Sequence, residues 1–180
     1  MNLVPPPPPP RDSPQKGLFA FDKTDAGGFA GRQGEVDALT ALVMAESARA
    51  ALLLGEPGVG KTSLLRAGVV PALERAGVVV LWADDPGAPA EALARAFEAL
   101  RPTAKRGNEK GAEYLARVLA ESGDGNQVWI LDDVDLALAR DHDGRLGREL
   151  ADLLRRVASR ARGRVRILLG CADSRMHQLN

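Results

Sequence analysis

The sequence predicts an α/β fold in which a parallel sheet is sandwiched between helices. Three observations carry that prediction. Short, largely apolar runs, "RAALLLG", "GVVVLWA", "QVWILDD" and "RVRILLG", alternate with segments of helical period, and strands lacking a polar face must be covered on both sides. A glycine-rich loop, "GEPGVGKTS", joins the first run to a helical segment. An acidic pair, Asp132 and Asp133, closes the third run.

The elements follow in order. Pro5 to Pro10 are six consecutive prolines, each fixing φ and removing a backbone donor, so residues 1–16 form a disordered tail of polyproline II character. Such a tail could serve a PxxP-reading domain, but composition alone names no partner. The folded domain spans 17–180. Val36, Leu39, Leu42 and Val43 recur at helical spacing and predict a helix over 33–47. The first strand follows, then the loop, then a helix over 61–76 that Pro71 kinks or splits. After the second strand come a helix started by Pro89 and a further one over 109–121. The third strand runs into a loop at "ARDHDG", a long helix begins at "LGRELADLL", and the fourth strand closes the pattern.

The loop carries the chemistry. Gly55, Gly60, Lys61 and Thr62 fit G-x-x-x-x-G-K-[ST]. Glycines let successive backbone N–H groups curl round a polyphosphate, and the following helix offers its positive end to the same anion. Lys61 would reach the β- and γ-phosphates, and the Thr62 hydroxyl would bind Mg²⁺. The alternative is a chance glycine-rich turn, but the motif falls between a strand and a helix, as its mechanism requires.

Asp132 and Asp133 stand where a parallel α/β sheet presents its ligands, at the C-terminal strand edge. Asp132 is the metal-side candidate, Asp133 the candidate for orienting the attacking water, and Asp135 the third choice. An aspartate there is a carbon shorter than a glutamate, so turnover should be slow.

Bulk composition restricts the remaining classes. The 180 residues carry 24 basic and 24 acidic side chains, so no whole-molecule field draws the chain to nucleic acid or to an anionic membrane. Arg155, Arg156, Arg160, Arg162, Arg164 and Arg166 form one basic cluster. It could touch nucleic acid or a neighbour's γ-phosphate, but it reads as a solvated helix end. Cys171 is the only cysteine, which excludes an internal disulfide and a multi-cysteine zinc site. With no signal-like N-terminus and no apolar run of spanning length, the expected setting is cytoplasmic, without a membrane. His142 reads as a surface loop residue, His177 as near a terminus, and Trp82 and Trp129 as strand packing.

"GLFAFDKTDAGGFAGRQGE" followed by "PGVGKTSLLRAGVVPALERAG" resembles the start of the novel STAND NTPase domain, a bacterial branch of the signal-transduction ATPases. Matching positions include Gly17, Leu18, Phe21, Asp25, Phe29, Gly31, Arg32 and Glu35. After the loop they continue through Leu64, Leu65, Arg66, Ala67, Gly68 and Pro71. The resemblance implies an ASCE-type P-loop NTPase fold, ATP with Mg²⁺, and bound nucleotide used as an on/off state for signalling or assembly. It implies nucleotide contacts from Gly55, Glu56, Pro57, Gly58, Val59, Gly60, Lys61, Thr62 and Ser63, with Phe29, Gly31 and Arg32 on the adenine side. Lys61 and Asp133 would be the catalytic pair.

The family's strand order is 5-1-4-3-2, and its members continue into a fifth strand and a helical lid. The chain stops at Asn180, so the domain should be incomplete at its C-terminus, with protein partners or self-association through the absent parts. Where relatives often carry an arginine after the fourth strand, "ILLGCADSR" has Cys171 or Ala172, with Arg175 later. Two rival readings are an AAA+ ATPase of the origin-recognition or helicase-loader kind, which also carries a "GR..E" segment, and a non-hydrolysing nucleotide-binding or interaction fragment.

Overall fold

The computed structural model describes residues 19–101, 103, 105–121, 125–160 and 165–173. The proline-rich tail, Gly17, Leu18, Arg162, Arg164, Arg175 and His177 lie outside them. A 3₁₀ turn, Lys23–Gly28, opens the described chain, capped by the Asp22 carboxylate on the Thr24 amide. Then follow α1 (Gln33–Met44), β1 (Ala50–Gly55) and α2 (Lys61–Ser63). A π-helical section, Leu64–Val69, carries α2 directly into α3 (Val70–Arg75). β2 (Val79–Ala83), α4 (Pro89–Leu100), α5 (Gly111–Glu121) and β3 (Gln127–Leu131) come next, followed by α6 (Val134–Leu138), α7 (Arg145–Arg160) and β4 (Val165–Ala172).

The four strands form one parallel sheet in the order β1-β4-β3-β2. These are the relative positions that the expected order assigns to them. Both faces are covered. On one side Leu81, Trp129, Leu131 and Ile167 pack beneath α4, α5 and α7. On the other, Val128, Ile130 and Leu168 meet α1, the π-helical section and α3. Alternate residues of the same strand thus serve two cores, which is why the runs carry no polar face.

The helix after the loop departs from a simple kink. Pro71 has no N–H to give the carbonyl four residues back and its ring crowds that carbonyl. The helix answers by widening, and the Val70 amide reaches the Leu65 carbonyl. Gly68 inside this section lets α1 approach: a Cβ there would stand 2.5 Å from Val36 Cγ2 and 3.2 Å from Phe29 Cε1.

Two sequence expectations are corrected. A short helix, α6, follows Asp133 directly, where sequence reading runs the third strand into a loop; "VDLAL" is too short for a period to show. Arg166 does not belong to a solvated helix end. It lies inside β4, buried, with its Nη1 donating to Asn126 Oδ1 at 3.5 Å, and that burial lowers its pKa. Arg155 and Arg156 do lie on α7, where both pair with Asp152. His142 is exposed, and Trp129 is buried with its indole N–H donated to Gln127.

Candidate functional site

The phosphate loop grows from the end of β1, where Gly55 is in register with Ala172 of β4. Gly58 and Gly60 hold φ values of +84° and +83°, a left-handed conformation that side chains strain against, so the loop's curvature needs glycine at both. Arg32 braces the loop from behind. Its Nη1 donates to the carbonyls of Val59 at 3.0 Å and Gly60 at 3.2 Å, while Glu35 holds the other side of the guanidinium. Lys61 Nζ folds back onto the loop, donating to the Gly55 carbonyl at 2.8 Å and the Glu56 carbonyl at 3.1 Å.

One bond joins the loop to β3. The Thr62 hydroxyl donates to Asp132 Oδ2 at 2.6 Å, across seventy residues of chain. Asp132 is buried, and its Oδ1 has no hydrogen-bond partner. Its room comes from the neighbouring strand. Leu131 is in register with Leu169, which puts Gly170 beside Asp132, and a Cβ on Gly170 would overlap the Asp132 carboxylate.

Asp133 follows in the left-handed region at φ 54°, at the N-cap position of α6 but without a side-chain capping bond. Its pKa is raised, first by burial, then by the charges of Asp132 and Asp135, with Lys61 and Arg66 opposing. Asp135 is buried and accepts the Ala172 amide at 3.0 Å, which locks the start of α6 to the end of β4. The charges of Asp132 and Asp135 thus act on Asp133 against those of Lys61 and Arg66, and a divalent cation nearby would offset the negative charge of such a group. Among the described residues no group of three or more His, Cys, Asp or Glu is arranged to hold a metal by itself. Mg²⁺ is commonly held by one or two protein oxygens plus substrate phosphates and water. The Thr62 hydroxyl and Asp132 Oδ2 fit that role, whereas Asp132 Oδ1 faces Gly170.

The loop, Asp133 and Asp135 share a cavity of about 500 Å³, which Asp132 itself does not line. Pro57, Gly58, Gly60, Lys61, Thr62 and Ser63 line it from the loop side, and Asp133 and Asp135 from β3 and α6. Phe19, Ala20 and Phe21 form a further wall that sequence reading did not select, with Leu136 and Ala172 completing the lining. The Phe21 amide ties this strap to the helix by donating to Ser63 Oγ at 3.1 Å. The presence of Phe21 in the family pattern was the one available signal. Phe29, Gly31 and Arg32, expected beside the base, do not line this cavity: Phe29 faces Gly68, and Arg32 stands behind the loop. Gly55, Glu56 and Val59 shape the loop without lining the cavity. At the end of β4, Cys171 is buried and its thiol is pushed up to about 11, chiefly by burial.

Residues 14–179 match the family model described as Novel STAND NTPase 1. The chain belongs to that family. No curated protein matches this STAND NTPase domain in sequence. Among solved structures it is similar to the ORC2 protein of Aeropyrum pernix, determined as ADPNP–ADP complexes, at a TM-score of 0.64 and 18% identity. That match covers 83% of this chain and 44% of the other, so the chain spans under half the length of that neighbour. At such identity the likeness concerns the fold, a P-loop α/β sheet, and family and fold together make this an NTPase-type domain. No helix among the described residues is long and apolar enough to cross a membrane.

Proposed function

We propose that this STAND NTPase domain binds Mg-ATP and uses it as a slowly hydrolysed switch for signalling or assembly. The observation that carries the reading is the Thr62–Asp132 hydrogen bond, which joins the strand-end carboxylate to a loop hydroxyl that lines the cavity together with Lys61 and Asp133. Lys61 would exchange its two loop carbonyls for the β- and γ-phosphates, and the loop amides would wrap the same anion. Thr62 and Asp132 would hold the Mg²⁺, which when bound neutralises charge developing on the phosphates. Asp133, projected from a left-handed cap, would orient the attacking water and take its proton. An ORC2 structure with ADPNP and ADP on the same fold is consistent with an adenine nucleotide. Protein partners or self-association through further domains would read the bound state.

Thermal unfolding of the chain with and without Mg-ATP tests this, beside Lys61→Ala and with ADP release followed in parallel. Ligand at a hundred times its Kd stabilises by about 2.7 kcal/mol, which raises Tm by roughly 5–10 °C at this size. The expected result is that rise in wild type, its loss in Lys61→Ala, and slow ADP production that Asp133→Asn abolishes. A cooperative transition that Mg-ATP does not move refutes nucleotide binding. Retention of ATP without any ADP refutes hydrolysis.

A further inference from the structure

We infer that the strap Phe19–Phe21 is the nucleobase subsite of the cavity, and that it grips a base by its face and not by its edge. The inference rests on the nucleotide-binding reading above and goes on to say where the base lies.

The strap and the acidic residues approach the loop helix on different sides. Asp132 meets Thr62, whereas the strap meets Ser63 through the Phe21 amide. Consecutive helical residues point about 100° apart, so a triphosphate held toward Thr62 and the carboxylates leaves the rest of the nucleotide to extend past Ser63 toward the strap. Phe29, the aromatic that the family resemblance puts there, is committed elsewhere. Its ring sits against Gly68 and backs the ring of Phe21, with centroids 5.9 Å apart. That backing fixes Phe21, while Phe19 remains 41% exposed at the cavity wall.

The chemistry of the wall determines the mode of recognition. Phe19, Ala20 and Phe21 carry no side-chain donor or acceptor, and the Phe21 amide is already given to Ser63. Stacking on an aromatic face is tolerant of base identity, since every base has one. No carboxylate belongs to the Phe19–Phe21 wall; the acids that line the cavity, Asp133 and Asp135, come from the start of α6. The subsite therefore accepts purine nucleoside triphosphates with little discrimination between adenine and guanine.

The test is isothermal titration of the full chain in Mg²⁺ with ATP, GTP and inorganic tripolyphosphate, in wild type, Phe19→Ala and Phe19→Leu. Tripolyphosphate engages the loop but has no base. Loss of one stacked aromatic should weaken ATP by about 5- to 150-fold, with tripolyphosphate affinity unchanged within about twofold. Phe19→Leu should fall between the two, since it keeps apolar contact and loses the ring. ATP and GTP should bind wild type within about tenfold of each other. Unchanged ATP affinity in Phe19→Ala overturns the subsite, and so does an equal loss for tripolyphosphate, which would make the strap a support for the loop. A preference for ATP of a hundredfold or more overturns recognition by the face alone. If wild type binds tripolyphosphate but neither nucleotide, the subsite fails while the phosphate loop stands; if it binds none of the three, the nucleotide-binding reading itself fails.

Discussion

Replacing Gly170 by alanine adds one methyl group at the point where β4 passes the Asp132 carboxylate. The backbone tolerates it, because Gly170 lies inside a strand and is not among the glycines of positive φ. The side-chain space does not: the new Cβ would overlap Oδ1 and stand 3.2 Å from Cγ and 3.4 Å from Cα of Asp132. The carboxylate must turn away, which breaks its bond to Thr62, or the strands must part. Losing a hydrogen bond to a charged group costs about 1.5–3 kcal/mol, and overpacking costs about 1–3 kcal/mol. Since turning away relieves part of the overpacking, about 3 kcal/mol is the expected total, a Tm drop of roughly 6–12 °C. The same substitution in an Asp132→Ala background should cost less than about 1 kcal/mol, because the obstructing group is gone and alanine is otherwise preferred to glycine in a strand. Thermal unfolding of the four proteins, followed by circular dichroism, gives the coupling directly. An equal Tm drop in both backgrounds would refute the argument that Gly170 exists to admit Asp132.

Other consequences follow from the same geometry. Arg32→Ala removes the two donations to the Val59 and Gly60 carbonyls, and should weaken Mg-ATP about tenfold, the equivalent of about one hydrogen bond, with Tm moved by under about 3 °C. Arg32→Lys should not restore the affinity, because a point ammonium cannot bridge the loop and Glu35 together; calorimetry on the three proteins checks both statements. Cys171 is raised from its ordinary value of 9.0 to about 11 by burial. Between those values the unfolded thiol has lost its proton and the folded one has kept it, so stability falls as pH rises from about 9 to 11, by up to about 1.4 kcal/mol per unit. The difference in unfolding free energy between wild type and Cys171→Ala, measured in urea across that window, should carry this slope; parallel pH profiles would show that the thiol does not titrate as its surroundings dictate.

Much of the fold and part of the site were legible in the sequence. The strands were readable because burial on both faces leaves no polar alternation, and four such runs separated by helical segments admit few arrangements. The loop was readable because its function needs glycines, a lysine and a hydroxyl at fixed spacing within one short stretch, Gly55 to Thr62. Asp132 was readable as the residue that ends a buried strand. Local pattern determined these, since each is decided within a window shorter than one element.

What only the tertiary structure decided depends on register between distant segments. That Gly170 stands beside Asp132 follows from β3 and β4 pairing Leu131 with Leu169, and a shift of one residue would have turned another side chain there. The same register buries Arg166, which a count of basic residues put with its neighbours in solvent. Pro71 announced a disturbance, but its form, a widened turn that lets Gly68 receive α1 and Phe29, depended on what packs against it. Phe29 is thereby drawn into the packing and Phe19–Phe21 left at the cavity. Two aromatic segments of similar composition exchange roles because only one can reach Ser63 while the other fills the space over a glycine, and that competition is settled by contact distances that no one-dimensional pattern contains.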